Sequence, residues 1–181
     1  MPLIALFNKV EDIFVRIQQT LSPWFIPSLA RLLFVAILLI YYWNSALTKI
    51  GNGIAPSLGA YAQIFPKAME KVGYDPGQLS IFHTLVVLAG TYAEFILPAL
   101  ILIGLLTRLA ALGMIGFVLV QSFVDITGHG LDGRAIGTWF DRLPDSVIFD
   151  QRALWVFLLL LIALKGAGPI SVDRFLLKSS D

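Results

Sequence analysis

LSIFHTLVVLAGTYAEFILPALILIGLL, residues 79–106, is followed after Thr107 and Arg108 by LAALGMIGFVLVQSFVDI, residues 109–126. Each stretch holds a single charge, Glu94 in the first and Asp125 in the second. A helix rises about 1.5 Å per residue and needs roughly 20 apolar residues to cross the hydrocarbon core of a bilayer. Both stretches reach that length or come close to it, and only a Thr-Arg step parts them, so they form a tight hairpin of membrane-spanning helices. In lipid each backbone polar group must be paired within its own segment, which selects helices. Barrel strands would alternate polar and apolar residues, and these runs do not.

Two more runs complete the pattern. Leu32 to Ile50 is preceded by Pro23 and Pro27, is entered at Arg31 and closes with Lys49 and Gly51. Ala153 to Leu164 is solidly apolar but reaches spanning length only by taking in Ile148 and Phe149 upstream or Gly166 to Ile170 downstream. The composition agrees: 57% of the 181 residues are hydrophobic and 14% are charged, with a mean hydropathy of +0.82. A water-soluble fold could not cover so much apolar surface. The expected fold is all-α: an integral membrane bundle of four transmembrane helices over residues 23–175, with residues 1–22 before it and a polar tail, 176–181, after it.

Residues 1–22 are no secretory signal, because Lys9, Glu11, Asp12 and Arg16 interrupt any apolar core. Leu3, Leu6, Phe7, Val10, Phe14 and Ile17 instead recur at helical spacing, with Asn8, Lys9, Glu11, Asp12 and Gln18 elsewhere on the wheel. This is an amphipathic helix, lying either on the membrane surface or against the end of the bundle. The basic residues near the membrane ends divide almost evenly: Lys9, Arg16, Arg31, Arg108, Lys165, Arg174 and Lys178 on one side, Lys49, Lys67, Lys71, Arg134, Arg142 and Arg152 on the other. The small excess places both termini in the cytoplasm, for a multi-pass protein of the plasma (inner) membrane. Two long connections, Gly51 to Gln78 and Gly128 to Arg152, then face outward. Structureless loops of that length are uncommon, so short capping helices are expected near Tyr61 to Val72 and Ala135 to Asp141.

Polar residues inside the spans point to chemistry, since an ionised side chain at the bilayer centre costs about 2.5–3.5 kcal/mol and needs compensation. His83, Gly90 and Glu94 share one stripe of the second span, at separations of seven and eleven. Gln121 and Asp125, four apart, share a face of the third, and the first span offers Tyr41, Asn44, Ser45, Thr48 and Lys49 toward its outer end. With antiparallel neighbours these groups converge on the outer half of the bundle. The candidate site is therefore Lys49, Glu94, Asn44, Gln121, Asp125 and His83. The bland alternative is a protonated Glu94 bonded to a neighbouring helix, with Lys49 snorkelling to the interface.

The arrangement resembles the DoxX family of small four-helix membrane proteins. The resemblance is carried by Arg31 entering the first span, by Ser45-Ala46-Leu47-Thr48-Lys49, and by Ala93-Glu94 followed by Gly104-Leu105-Leu106-Thr107-Arg108-Leu109-Ala110. It extends to Gly166-Ala167-Gly168-Pro169-Ile170-Ser171-Val172-Asp173. The resemblance implies that Lys49 and Glu94 are the family's charged pair, facing one another as an ion pair or sharing a proton. It also implies an association with redox systems, as the family is named for a subunit of a thiosulfate:quinone oxidoreductase. A quinone is the one cofactor it suggests, its head group oriented by the pair, with Gln121 or Asp125 as second hydrogen-bond partner.

Other chemistries have less support. The chain has no cysteine, which excludes thiol–disulfide exchange and cysteine-held iron–sulfur clusters. It has no phosphate loop and no paired metal-ligand motif, and a haem between its two histidines, His83 and His129, is a weaker alternative. A net charge of +1 without a basic stripe gives nucleic acid no footing. Two readings stand: a quinone-binding membrane subunit of a redox system, or a non-catalytic anchor or assembly factor whose outer loops hold a partner. Catalysis by the chain itself is left open. The expected partners are the lipid bilayer, a membrane or periplasmic protein and, through the close-packing glycines Gly113 and Gly116, a second copy.

Overall fold

The computed structural model describes residues 2–51 and 53–178 and is 76% helical, with no strand among the described residues. In chain order the helices are α1 (Pro2–Leu21), α2 (Phe25–Lys49), α3 (Leu58–Ile64), α4 (Pro66–Lys71), α5 (Ile81–Ile103), α6 (Thr107–Thr127), α7 (Gly133–Ile136), α8 (Val147–Lys165) and α9 (Val172–Lys178). Four of them, α2, α5, α6 and α8, are long and apolar enough to cross a membrane, with mean hydropathies of 2.0 to 2.1. They pack in a ring in chain order, the first span against the second and fourth, the third against the second and fourth.

The first span starts seven residues before the apolar run that announced it. Pro27 sits in its first turn, where a missing N–H leaves no helical bond unmade. Its buried residues Ala30, Phe34, Leu38, Tyr42 and Ala46 recur every fourth position. A straight α-helix would rotate such a stripe by about 40° per repeat. The π turn at Val35–Leu39, with its i→i+5 bonding, takes up part of that drift and keeps the stripe on the core. The fourth span takes its extra length upstream, through a second π turn at Val147–Arg152.

The core joins Phe34, Leu38 and Tyr42 to Ile101, Met114, Val118, Leu159 and Ile162, all essentially inaccessible. Small residues let the helices approach: Ala110 and Ala111 on the third span and Ala163 on the fourth are buried there. The outward faces carry Leu32, Ile40, Leu85, Leu109, Leu119, Phe123, Leu154 and Phe157, each more than half exposed, as lipid-facing side chains are.

Hydrogen bonds to charged side chains close the end of the bundle where the first span begins. The second span stops at Gly104, whose left-handed backbone (φ 73°) returns its own N–H to Leu100 O and that of Leu105 to the same carbonyl. A side chain at Gly104 would collide with Ser171 and the Arg31 guanidinium. Arg31 donates to four carbonyls, Ile101 (3.0 Å), Leu102 (2.7 Å), Ala167 (2.6 Å) and Ile170 (2.6 Å). Arg108 donates to Ala163 O and Leu164 O at the end of the fourth span. Asp173 accepts from the N–H groups of Leu106 (2.7 Å) and Thr107 (3.0 Å), the positive end of the third span. The Gly-x-x-Thr-Arg segment is thus the joint that ties three spans together.

At the outer end α3 and α4 fill the first long connection as expected, Ser57 capping α3 by accepting from Ala60 N–H. The second connection is less helical than expected: α7 ends at Ile136, where Gly137 turns with φ 79°, and Trp139 and Phe140 follow in irregular backbone. Helix α1 is not packed on the bundle, since every residue from Leu3 to Thr20 is exposed. Of residues 176–181, the first three close α9, and 179–181 lie outside the described residues.

Burial raises the Asp173 carboxyl, but the bonds from the Thr107 and Leu106 N–H groups and the Arg31 charge outweigh it and hold it below the usual carboxylate range. A depressed carboxylate stabilises the fold fully above its unfolded value, about 3.9 for Asp, and the contribution is lost as pH falls through the lower folded value. Thermal unfolding in detergent between pH 6 and pH 3 should show the midpoint falling at the acid end, with a shallower fall in Asp173→Asn. Equal slopes in the two proteins would deny this carboxylate its role.

Candidate functional site

Each of the four spans delivers one charged side chain to the same cavity. The first span ends at Lys49, whose side chain turns back along its own helix so that Nζ donates to Ser45 Oγ at 2.7 Å. The same ammonium donates to Glu94 Oε1 at 2.9 Å and Oε2 at 2.8 Å. Ser45 Oγ also lies 3.4 Å from Glu94 Oε1. Both charged side chains are almost fully enclosed, 7% and 4% exposed. An isolated carboxylate or ammonium at this depth would carry a large desolvation cost, and the pair meets it by two-point contact.

The backbone beneath Glu94 is opened on purpose. Pro98 lies within α5 and has no N–H to give the carbonyl four residues back, that of Glu94. One residue on, Phe95 O accepts from Trp43 Nε1 at 3.2 Å, tying the first span to the second at this level.

On the opposite wall the third and fourth spans form a second pair. Arg152 Nη2 donates to Asp125 Oδ2, and Nη1 donates to Ser122 Oγ at 3.1 Å. Arg152 is 4% exposed. Its Nε is buried without a hydrogen-bond partner. The π turn brings it there, held by Ser146 Oγ, which accepts from Asp150 N–H, while the Asp150 carboxylate accepts from Ser146 N–H. Between the two pairs runs a neutral bridge: Gln121 Nε2 donates to Tyr41 OH at 3.0 Å, and Tyr42 OH approaches Gln121 Oε1 at 3.4 Å.

The cavity these groups share measures about 600 Å³ and lies between the second and third spans. This volume is typical of small-molecule sites, roughly 300–1,000 Å³. Its charged end is roofed by Gln63 and Ile64 of the outer cap, and His129 Nε2–H donates to Gln63 O at 2.9 Å. Toward the middle of the bundle the lining becomes apolar: Leu97, Phe117 and Val120, with Gly113 and Gly116.

Of the six residues singled out from sequence, Lys49, Glu94, Gln121 and Asp125 come together in this cavity. Asn44 does not; it is exposed on the first span, and Ser45, about 100° further round the helix, takes its place. His83 also stands outside, half-buried, bonded to Ser80 Oγ at 2.8 Å and packed edge-on to Phe65 of the cap. The two histidines therefore engage separate partners. Arg152 is the functional residue that sequence reasoning passed over, counted only as an outer basic residue. The signal available was its place at the head of an apolar run too short to span alone. Gly113 and Gly116 line the cavity.

Neither a curated protein nor a solved structure matches the chain. The family model described as DoxX matches residues 26–125, a stretch that holds Lys49, Glu94 and Asp125 and stops short of Arg152. Since that match spans more than half of the sequence, this multi-pass membrane protein belongs to the DoxX family.

Proposed function

We propose that the protein is the quinone-binding membrane subunit of a redox system, with the quinone head group held between the Lys49–Glu94 and Arg152–Asp125 pairs. The observation that carries this is the meeting of two ion pairs, one from the first and second spans and one from the third and fourth, in one cavity with an apolar floor. A para-quinone is a neutral planar ring with carbonyl oxygens at opposite ends, so it needs a hydrogen-bond donor at each end and an apolar surround. Lys49 and Arg152 are those donors, the Lys49 ammonium exchanging one of its three bonds to Ser45 and Glu94 for the ring oxygen, and Tyr41 and Gln121 also line the cavity. Reduction adds two electrons and two protons to the ring. Glu94 and Asp125 are placed to pass on the protons, and a redox centre on a partner protein, itself oxidised, supplies the electrons.

The test is to purify the protein in mild detergent and quantify quinone by extraction and mass spectrometry against unrelated membrane proteins. Stoichiometric quinone is expected, with loss of at least tenfold in Glu94→Gln. Because that change strands a buried ammonium, at a cost of about 3–5 kcal/mol, the paired variant Lys49→Met with Glu94→Met is measured beside it. It should fold better than the single variant and still lack quinone. A folded wild-type protein free of quinone would refute the proposal.

In the same reading both termini lie in the cytoplasm, α1 rests along that membrane face, and the roof of the cavity faces outward. The native chain has no cysteine, so single introduced ones report topology cleanly. Arg142→Cys should react with a membrane-impermeant maleimide added to intact spheroplasts, and Phe7→Cys only after permeabilisation. The reverse pattern would invert the orientation.

One observation favours a second reading, an anchor or assembly protein. Phe140 is fully exposed and held at φ 67°, beside Trp139 at 60% exposure, an aromatic pair on the outer loop suited to a protein partner. That reading expects Phe140→Ser to break the native assembly on a native gel. It also expects the Lys49→Met, Glu94→Met variant to leave the assembly intact.

A further inference from the structure

The cavity of the charged quartet is partly covered at its loop end, where the Asp125 side chain keeps 24% of its exposure, and opens between two membrane-spanning helices. Its outer end is covered by Gln63 and Ile64, with the His129–Gln63 hydrogen bond across the gap. Packing tightens this cover: a side chain at Gly90 would meet Ile64 at 3.4 Å, and one at Gly128 would collide with Pro66. The side between the second and third spans is different. There the lining is Ala89, Gly90 and Ala93 on one helix and Gly113, Gly116 and Val120 on the other. Ala89, Gly116 and Val120 are exposed, on the lipid face of two membrane-spanning helices. A Cβ built at Gly116 would meet nothing within 4 Å, so the space beside it is open.

Small residues along two adjacent spans usually let the helices close up. Here they close up at Gly113, where a Cβ would meet the Leu97 side chain at 3.1 Å, and leave a slot only beside Gly116, which opens to the lipid face on one side and to the cavity lined by Arg152 on the other. The other large groove, between the first and fourth spans, is lined by leucines, isoleucines and aromatics with Gln151 as its one polar residue, and offers no comparable head-group site.

We infer that the ligand carries a long apolar tail and enters sideways from the bilayer through the slot between the second and third spans, its tail remaining there against Gly116 and Val120. This rests on the proposal that the cavity holds a quinone head group. It adds that the natural ligand is a polyprenyl-tailed quinone that never leaves the membrane, and not a small water-borne one. The apolar floor of Leu97, Phe117 and Val120 is the continuation of the path the tail takes.

The experiment measures equilibrium binding to the full chain in nanodiscs of quinone-free lipid, read by tryptophan quenching, since the Trp155 ring lies 5.4 Å from that of cavity-lining Tyr41. Ubiquinone-10 is compared with its tailless analogue, 2,3-dimethoxy-5,6-dimethyl-1,4-benzoquinone. The variant is Gly116→Phe, which plugs the slot; Leu112→Phe, one turn along the same exposed face but outside the cavity lining, is the control for bulk. Gly116→Phe should weaken ubiquinone-10 by tenfold or more and leave the tailless analogue within twofold, while Leu112→Phe changes neither. Equal effects on both ligands, or none on ubiquinone-10, would overturn the sideways path while leaving the quinone site standing. If the wild-type protein binds neither ligand, the quinone proposal and this one fall together.

Discussion

Within a bilayer a polar group has no water to fall back on, and that constraint decides where the charges of the four spans sit. Buried pairs in lipid are retained for what they position more than for net stability, because desolvation cancels most of the attraction. Here Lys49 and Glu94 fix the first span against the second, and Arg152 and Asp125 fix the fourth against the third. Neither pair can be satisfied unless the helices keep their rotation, so the charges set the register that apolar packing, indifferent between lipid and protein, would leave loose.

The two ends of the bundle use charge differently. At the end where the first span begins, Arg31, Arg108 and Asp173 bond to backbone groups at and just beyond helix termini. At the outer end the charges bond to each other around a void. A residue type alone does not distinguish these roles; the distinction lies in whether the partner is a carbonyl at a helix end or a carboxylate on a facing span.

Much of this was legible in the residues. Apolar runs of spanning length and the Thr107-Arg108 step announced the four helices and the hairpin, and the cost of a mid-span carboxylate singled out Glu94. Lys49 as its partner came from the family resemblance, not from geometry. What the sequence concealed has one physical origin: periodicity reasoning assumes 3.6 residues per turn. The π turn at Val147–Arg152 carries an extra residue, which swings Arg152 from an expected loop position into the core. Asn44 was misplaced for a related reason, since one residue is worth about 100° of helix and the face of a span end is set by partners far away in sequence. The openness of the glycine-lined slot was equally hidden, because the same small residues would serve a tight helix contact.

The quartet of Lys49, Glu94, Asp125 and Arg152 sums to zero when all four are ionised. An uncharged guest can therefore come and go without moving charge through the membrane field, so its occupancy is indifferent to the transmembrane voltage, which acts only on net charge displaced. Voltage would be felt only at the moment electrons reach the guest, and only to the extent that protons do not arrive with them. On the quinone proposal, Glu94 and Asp125 are placed to bring protons along with the electrons, and the cavity would then be an electrically silent compartment inside the membrane.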